Sequence, residues 1–262
     1  MQKFFVKSNQ IQENKINIIG SDVKHISNVL RMKKKDKLQI CNEENAKNYI
    51  VEIEEITQEV IKTCILEEIQ RSTESNVEIC LYQGLPKADK MELIIQKTTE
   101  IGVSQIVPVD MIRCVVKLEE KEAKKKIDRW QKIAETAAKQ SKRDKIPQIE
   151  NKMKLREIVN NVEQYDAFLI AYEGENTNTL KQELRNLPKK EKYKIAILIG
   201  PEGGLDAKEV KILKENGAKV VTLGKRILRC ETAPITMVSN IIYELESQIW
   251  KENKNCQGKN KK

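Results

Sequence analysis

The sequence has a single histidine, His25, and its six cysteines form no C-x-x-C pair. Without cysteine and histidine ligands at short spacing, a zinc-finger site is excluded, and no metal is expected. His25 also lies far along the chain from any candidate nucleophile, which argues against a Ser-His-Asp or Cys-His hydrolase. We expect the cysteines to be reduced, mostly buried, small apolar side chains. They are Cys41, Cys64, Cys80, Cys114, Cys230 and Cys256.

Long apolar runs are missing as well. No stretch approaches the length that crosses a membrane, and the first ten residues, MQKFFVKSNQ, lack the apolar core of a signal peptide. Aromatic residues make up only 4% of the chain, but its hydrophobic content of 39% over 262 residues is enough to bury a sizeable core. The sequence predicts a cytoplasmic protein with no membrane partner, built from one large or two smaller domains.

The common nucleotide-binding loops are also absent. There is no G-x-G-x-x-G stretch, and the Gly200-Pro201-Glu202-Gly203-Gly204 motif is not followed by Gly-Lys-Ser/Thr. A loop that cradles phosphate groups is therefore not expected. Any cofactor that binds at these glycines is predicted to lack phosphate.

Positive charge is abundant and unevenly distributed. The net charge is +9, and the segment from Arg113 to Lys145 carries 12 Lys or Arg against 6 Asp or Glu. A second basic cluster lies near the N-terminus and consists of Arg31, Lys33, Lys34, Lys35 and Lys37. Single lysines are usually only solvated, but grouped cations are typical of a surface that binds the phosphates of a nucleic acid.

The first part of the chain is predicted to be a small, mostly β domain. Short β-prone runs alternate with polar turns, and one helix is expected at Asp22–Met32. The polar stretch Arg71–Asn76 is expected to be a linker. The predicted strands are Phe4–Val6, Ile16–Ile18, Leu38–Cys41, Tyr49–Ile56 and Val60–Leu66.

After the linker, strands alternate with helices, which predicts an α/β domain with a parallel sheet. The predicted boundaries are 1–72 for the N-terminal domain, 73–250 for the α/β domain and 251–262 for a disordered basic tail. The predicted strands are Val77–Tyr82, Val103–Val109, Asp166–Ala171, Ile195–Ile199 and Val220–Leu223. The predicted helices are Lys87–Ile101, Glu119–Ser141, one that begins at Asp206, and Ala233–Trp250.

Two of these strands end at glycine. Ile195–Ile199 stops at Gly200, and Asp206 with Glu209 then forms a capping box for the next helix. Val220–Leu223 ends at Gly224, and the basic loop Lys225–Glu231 leads into the last helix. Because the carboxyl ends of parallel strands meet at one sheet edge, both loops are candidates for a ligand site.

The motifs GPEGG and LGKRILRCETA closely resemble the C-terminal signature of the SPOUT class of S-adenosylmethionine (SAM) methyltransferases. They are most similar to the family that methylates N(3) of a uridine in 16S ribosomal RNA. The resemblance continues through HISNVLRMKKKDKLQI, KADKMELIIQKTTEIGVSQIVPV and RWQKIAETAAKQSKRDKIPQI, so it covers nearly the whole chain in order.

The resemblance implies a PUA-like, RNA-contacting N-terminal barrel and a SPOUT-type parallel sheet with a deep trefoil knot. It also implies SAM as the cofactor, the small ribosomal subunit as the partner, and a homodimer. The cofactor residues that it implies are Ala171, Glu173, Gly174, Leu198, Ile199, Gly200, Pro201, Glu202, Gly203, Leu223, Gly224, Ile227, Leu228 and Arg229.

Methyl transfer to a uridine nitrogen spreads negative charge onto the carbonyl oxygens beside it. A guanidinium suits that charge, and we predict Arg229 for this role, with Arg226 as its nearest competitor. Glu231 and Glu202 are candidates for a general base, although either could instead order its loop. Cys230 stands where the family has a hydroxyl residue, which speaks against a side-chain oxygen acting there. The predicted RNA contacts are His25, Arg31, Lys33, Lys34, Lys35, Gln140, Lys142 and Arg143.

Two other functions stay open on the sequence. A non-catalytic RNA-binding or ribosome-binding protein could keep the same fold, although it would not need a glycine-lined pocket. A related SPOUT enzyme could methylate a ribose or a guanine. Neither the target nucleotide, apart from the resemblance, nor the form of the substrate, free RNA or assembled subunit, follows from the residues.

Overall fold

The computed structural model describes residues 1–70 and 72–259 and divides into two compact units. The N-terminal unit contains Met1–Glu74 together with Ala138–Ile146, and the C-terminal unit contains Ser75–Ala137 and the chain from Pro147 onward. The first change of unit lies close to the expected boundary at residue 72. The internal segment Ala138–Ile146 was not expected to belong with the N-terminal residues.

The N-terminal unit is built on a curled sheet of six strands in the order β1-β4-β5-β6-β3-β2. Only β1 and β4 pair in parallel, and alternate side chains, such as Leu38 and Ile40, fill the apolar core. This confirms the predicted mostly β domain. The strands are β1 (Lys3–Val6), β2 (Ile11–Gln12), β3 (Lys15–Ile19), β4 (Lys37–Asn42), β5 (Asn48–Ile56) and β6 (Val60–Ile69).

The helical segment of this unit is shorter and less regular than predicted. Helix α1 (Ser21–Lys24) passes directly into a π-helical turn over His25–Val29, where the Leu30 amide donates to the His25 carbonyl. Arg31 then adopts a φ of 53°, in the left-handed region that commonly ends a helix. The helix therefore ends before Met32, the predicted last residue.

A buried carboxylate joins the internal segment to the rest of the N-terminal unit. Asp144 forms an ion pair with Lys3 of β1, and both side chains are buried. Asp144 also accepts hydrogen bonds from Asn48 Nδ2 at 2.9 Å, Ser72 Oγ at 2.9 Å and the Thr73 amide at 2.7 Å. Each carboxylate oxygen is thereby bonded more than once, which offsets the cost of burying its charge.

The C-terminal unit confirms the predicted α/β domain with a parallel sheet. The strand order is β10-β8-β7-β12-β11-β13, with β9 also pairing with β8, and every pair is parallel. The threading of the last helix through a knot stays a prediction. The strands are β7 (Val77–Gly84), β8 (Gln105–Asp110), β9 (Gln148–Ile149), β10 (Met153–Lys154), β11 (Ala167–Ala171), β12 (Tyr193–Ile199) and β13 (Lys219–Val221).

Six helices accompany this sheet. In the part of the chain that the structure describes, none combines the length and apolar character needed to cross a bilayer. The short helices α4 and α5 were not predicted, because neither is long enough to show a clear apolar period. The helices are α2 (Lys90–Ile101), α3 (Glu120–Gln140), α4 (Leu155–Val159), α5 (Leu180–Asn186), α6 (Ala207–Glu215) and α7 (Thr232–Lys259).

Backbone geometry explains the shifted bounds. Ala88 has a φ of 51°, so α2 begins at Lys90 rather than Lys87. Gly102 and Val103 both donate to the Thr98 carbonyl and close the end of α2, which delays β8 to Gln105. Strand β13 ends at Val221, and Thr222 forms only an isolated bridge with Thr179.

Helix α7 extends past its predicted end at Trp250. It runs to Lys259, so it overlaps the segment 251–262 that we expected to be disordered. Lysine and glutamate in this segment are good helix formers. The last part of the predicted tail, residues 260–262, lies outside the described residues.

Candidate active site

A cavity of about 500 Å³ opens where β11, β12 and β13 end. Its volume lies within the range of roughly 300–1,000 Å³ that is usual for small-molecule sites. The loops that follow these strands supply most of its wall, as the sheet-edge argument predicted. Most of the predicted cofactor residues line it: Ala171, Glu173, Ile199, Gly200, Pro201, Glu202, Gly203, Leu223, Gly224, Ile227, Leu228 and Arg229.

The loop from Gly200 to Gly204 is a tight turn that leaves no room for a side chain at Gly200 or Gly204. A Cβ atom on Gly200 would lie 2.9 Å from the backbone carbon of Gly204. Gly204 has a φ of 69°, and its amide donates to the Pro201 carbonyl at 2.9 Å. Glycine is therefore needed at both positions. The backbone itself forms this wall of the cavity.

Two residues that the sequence did not single out hold this loop. Arg113, in the loop after β8, donates from Nη1 to the Gly203 carbonyl at 3.0 Å, and its Nε lies 3.6 Å from Asp206 Oδ2. The fully buried Gln83, at the end of β7, donates from Nε2 to the Gly200 carbonyl at 3.4 Å. The loop is thus fixed by groups from two other strands.

Two predicted cofactor residues do not line the cavity. Leu198 is fully buried in the hydrophobic core of the unit. A Cβ on Gly174 would lie 2.6 Å from the ring of Tyr172, so this glycine accommodates that ring. Glu173, the residue before Gly174, does line the cavity, and its carboxylate lies against Gly204.

Fewer of the predicted apolar side chains enclose the cavity than the sequence indicated. Ile199 is buried and Leu223 and Leu228 are half-buried, so these side chains can form a slot. Ile227 lines the cavity as well, but 86% of its surface is exposed. It therefore lies at the rim of the slot rather than inside it.

A charged cluster lies beside the cavity, centred on Lys90 at the start of α2. Its ammonium is 3.0 Å from Glu202 Oε1, 3.5 Å from Glu231 Oε2 and 3.8 Å from Cys230 Sγ. The Cys230 thiol donates to Glu231 Oε2 at 3.2 Å. The Lys87 amide also donates to Glu202, at 3.0 Å. Four side chains and one backbone amide, from three chain segments, thus form one network.

The protonation states in this network follow from burial and charge. Burial alone would raise the pKa of Glu202, but the Lys90 ammonium and nearby amides outweigh it and lower that pKa. For Glu231, burial is likewise outweighed by the Cys230 thiol and Lys90, so its pKa is also lowered. Burial, together with Glu231, raises the pKa of the Cys230 thiol to about 12. Both predicted bases are therefore weakly basic carboxylates at neutral pH.

Cations without an ion pair form the other side of the cavity. Lys225, Arg226 and Arg229 line it and are exposed. Among the residues that the structure describes, none of the three is within ion-pair distance of a carboxylate. The Arg229 carbonyl accepts the first hydrogen bonds of α7, from the Thr232 and Ala233 amides, both at 2.9 Å. The backbone of Arg229 is therefore more firmly held than that of Arg226.

The predicted RNA contacts all lie in the N-terminal unit, and all but one are exposed. The exception is Arg143, whose guanidinium is buried against Glu74. The ion pair engages its Nε and Nη2 donors, and its contact with RNA stays a prediction. The exposed ones are His25, Arg31, Lys33, Lys34, Lys35, Gln140 and Lys142.

The residues of the cavity fit SAM. The half-buried aliphatic side chains suit an adenine ring, and the backbone of the tight glycine loop can approach it closely. The carboxylates of Glu173 and Glu202 suit the positively charged groups of SAM. Among the described residues, no group of three or more potential metal ligands lies close enough to hold a metal ion.

Comparison with known proteins places these features in a family. Residues 73–242 match the RNA methyltransferase domain family, and residues 18–61 match the RNA methyltransferase PUA domain family. The chain is 35% identical to ribosomal RNA small subunit methyltransferase E of Bacillus subtilis, over 94% of this chain and 98% of that protein. Its counterpart of the same name in Mesomycoplasma hyopneumoniae is 33% identical, over 92% and 99%.

A solved structure agrees. The ribosomal RNA small subunit methyltransferase E of Neisseria gonorrhoeae, crystallised bound to S-adenosyl methionine, superposes with a TM-score of 0.80. It is 28% identical and covers 92% of this chain and 96% of its own. With its two matched domains and its glycine-lined cavity, the chain belongs to the ribosomal RNA small subunit methyltransferase E family.

Proposed function

We propose that the protein transfers a methyl group from SAM to N(3) of one uridine in the 16S RNA of the small ribosomal subunit. The observation that carries this proposal is the composition of the cavity. Its backbone-walled glycine loop can hold the cofactor, and the exposed Arg229 lines it. A protein that only binds RNA has no need of such a cavity.

Different residues of the cavity have different roles in this reaction. SAM, when bound, supplies a methyl group activated by its positive sulfonium. The Gly200–Gly204 backbone and the half-buried Leu223 and Leu228 orient the cofactor. Arg229 donates hydrogen bonds to a uracil carbonyl oxygen. There it stabilises the negative charge that appears when N(3) gives up its proton to solvent and that disappears when N(3) gains the methyl. Glu202 and Glu231 order the loops, since ion-paired carboxylates with lowered pKa values are poor bases.

RNA docking is assigned to the N-terminal unit. Arg31, Lys33, Lys34 and Lys35 are all exposed around one turn between α1 and β4. Phosphate contacts from such a cluster release counterions and provide affinity that does not depend on base sequence. Recognition of the target uridine itself falls to the cavity. Because ribosomal RNA is the substrate, we infer that the protein acts in the cytoplasm.

The protein is also proposed to act as a homodimer. Tyr243 on α7 is 76% exposed, and Leu93 on α2, which packs against α7, is 41% exposed. Large exposed apolar side chains on adjacent helices are typical of an interface. Light scattering on the wild-type protein and on Tyr243→Glu tests this. We expect twice the monomer mass for the first and a shift toward the monomer for the second, whereas a monomeric wild type contradicts the dimer.

Mass spectrometry of ribosomal RNA tests the methylation. A strain without the protein is expected to lose one methyl group from a single uridine of the small subunit RNA, and the wild-type gene to restore it. Arg229→Ala is expected not to restore it, whereas Arg156→Ala, at an exposed arginine on α4, should. An unchanged methylation pattern in the deletion strain contradicts the proposal.

A further inference from the structure

Lys90 occupies an unfavourable place for a lysine. It is the first residue of α2, where the positive end of the helix dipole repels a cation. No acidic side chain of its own helix pairs with it; its partners, Glu202 and Glu231, come from two other segments, more than 100 residues away. A local helix-stabilising role therefore does not account for Lys90.

The two partners belong to the two functional loops of the cavity. Glu202 is the central residue of the tight glycine loop after β12. Glu231 is the last residue of the basic loop before α7, two residues after Arg229. One ammonium therefore joins the loop that walls the cofactor cavity to the segment that carries the arginine.

Removing the ammonium would leave an unbalanced site. The groups that face one another here are Lys90 from α2, Glu202 from the glycine loop, and Cys230 and Glu231 at the start of α7. The thiol is neutral, so without Lys90 two carboxylates would share the site and repel each other. The repulsion would push the two loops apart, and with them the cavity wall and Arg229.

We propose that Lys90 is a positioning residue that holds the glycine loop and the Arg229 segment at the separation that cofactor binding and methyl transfer require. The inference rests on the proposed function but concerns a residue that touches the reaction only through Glu202 and Glu231. Its hydrogen bond to Glu202 raises the pKa of Lys90, so the ammonium stays charged at neutral pH.

The first test measures SAM affinity by calorimetry on the purified full-length protein, without RNA. Lys90→Met keeps the aliphatic length and removes the charge. We expect it to weaken SAM binding by about threefold to a hundredfold, the range of coupling between groups in one network. Lys90→Arg should restore most of the affinity. The control is Lys97→Met on the same helix, where the lysine pairs with Glu100 at 3.0 Å, and no change is expected.

Two further measurements distinguish charge bridging from packing. As the pH falls from about 8 to 5.5, the affinity of Lys90→Met should rise relative to that of the wild type, because protonation of one carboxylate relieves the repulsion. The ratio of the two affinities cancels the titration of the amino group of SAM. The double variant Lys90→Met/Glu231→Gln should bind better than Lys90→Met alone, for the same reason. A side chain that only fills space would produce neither effect.

The outcomes separate the two proposals. If the wild type binds no SAM, the proposed function fails. If the wild type binds SAM and Lys90→Met matches it in affinity and methylation rate, or if Glu231→Gln gives no rescue, the positioning role of Lys90 is wrong while the function stands. Should Lys90→Met fail to fold, as judged by thermal unfolding, Glu231→Gln alone carries the test: it breaks the same bridge and should weaken SAM binding.

Discussion

Arg113 donates a hydrogen bond from its guanidinium to the carbonyl of Gly203, ninety residues further along the chain, at 3.0 Å. The arginine comes from the loop after β8, and the glycine comes from the loop after β12. The strands are not neighbours, because β7 lies between them. The shape of the cofactor loop is therefore set in part by a segment that does not line the cavity.

Loss of this hydrogen bond is expected to weaken cofactor binding. Arg113→Ala removes the bond to Gly203 and the ion pair with Asp206, so the glycine loop becomes free to move. We expect SAM affinity to fall by about tenfold, because a hydrogen bond to a charged group contributes about 1.5–3 kcal/mol, part of which solvent exposure removes. Calorimetry measures the change. Lys117→Ala on the same loop, where the lysine pairs with Asp110, is the control; an equal loss in both variants would contradict the assignment.

The glycines of the loop are expected to differ in tolerance. A Cβ on Gly200 meets the backbone of Gly204 at 2.9 Å, whereas a Cβ on Gly203 meets the Cβ of Arg113 at 3.2 Å. The contact at 2.9 Å forces the backbone to shift, whereas the contact at 3.2 Å is relieved by a movement of a few tenths of an ångström. Gly200→Ala should therefore abolish measurable SAM binding, and Gly203→Ala should reduce it only a few-fold. A larger substituent at Gly203, such as valine, would displace Arg113 rather than fill the cofactor slot. Equal affinities for the two alanine variants would refute this view of the loop.

Arg229 is expected to matter for rate more than for cofactor affinity. Loss of one donor to a developing oxyanion typically reduces the rate by roughly a hundredfold to a thousandfold. We expect Arg229→Ala to show this loss in single-turnover methylation with saturating RNA, with SAM affinity changed by less than about threefold. Arg226→Ala serves as the comparison. If Arg226→Ala lost more methylation rate than Arg229→Ala, Arg226 would be the residue that stabilises the developing charge.

Acid is expected to destabilise the N-terminal unit through Asp144. Burial alone would raise the pKa of this carboxyl, but hydrogen bonds from Lys3, Thr73 and Ser72 outweigh it and lower the pKa below 3.8. The contribution of Asp144 to stability is therefore complete above the ordinary carboxyl pKa and is lost as the pH falls through the lowered value. Asp144→Asn leaves the buried Lys3 ammonium without its counter-charge and should lower the free energy of unfolding by about 3–5 kcal/mol at pH 7.

Urea unfolding at pH 7 and near pH 3 measures both effects. The wild type should lose stability between the two pH values, and Asp144→Asn should lose less, because it has no carboxyl to protonate at this position. Asp166→Asn is the comparison: this carboxylate pairs with the half-exposed Lys190, and a smaller cost at pH 7 is expected. If both variants lost the same free energy of unfolding at pH 7, burial would not be what makes the Asp144–Lys3 pair important.

Charge reversal at Lys33, Lys34 and Lys35 tests the docking surface. We expect the triple glutamate variant to lose methylation of small subunits while SAM affinity stays the same. The slope of log affinity against log salt should fall by roughly one for each phosphate contact removed. Charge reversal at Lys208, Lys211 and Lys214 on α6 changes the charge equally and is the control. Deletion of the N-terminal residues would be a poorer test, because it strips Asp144 of Lys3, Asn48 and Ser72.

Much of the fold could be read from the chain because its signals are local. The alternating runs predicted the curled sheet, and the glycines after β12 and β13 predicted the site. The capping box at Asp206 is confirmed: its carboxylate accepts from the Lys208 amide, and Glu209 accepts from the Asp206 amide. In each case residues a few positions apart decide the geometry.

Other features depend on distant partners, and the sequence does not identify those. Arg143 counted toward the basic segment, but only the fold shows that Glu74 neutralises it. Arg113 and Lys90 were missed because their partners follow about a hundred residues later. For Lys90 the signal was hidden: the helix was predicted to begin at Lys87, and only the structure places Lys90 at its first position, where the dipole disfavours a cation.

The boundary between the two compact units falls inside α3, between Ala137 and Ala138. Together with the changes after Glu74 and after Ile146, the chain passes from one unit to the other three times. Neither unit can therefore be cut out as one uninterrupted piece of gene. An exchange of RNA-docking modules between relatives by recombination would have to carry the Ala138–Ile146 segment along with the N-terminal residues, or Asp144 would face a foreign surface. The N-terminal residues and the Ala138–Ile146 segment are thus constrained to be inherited together.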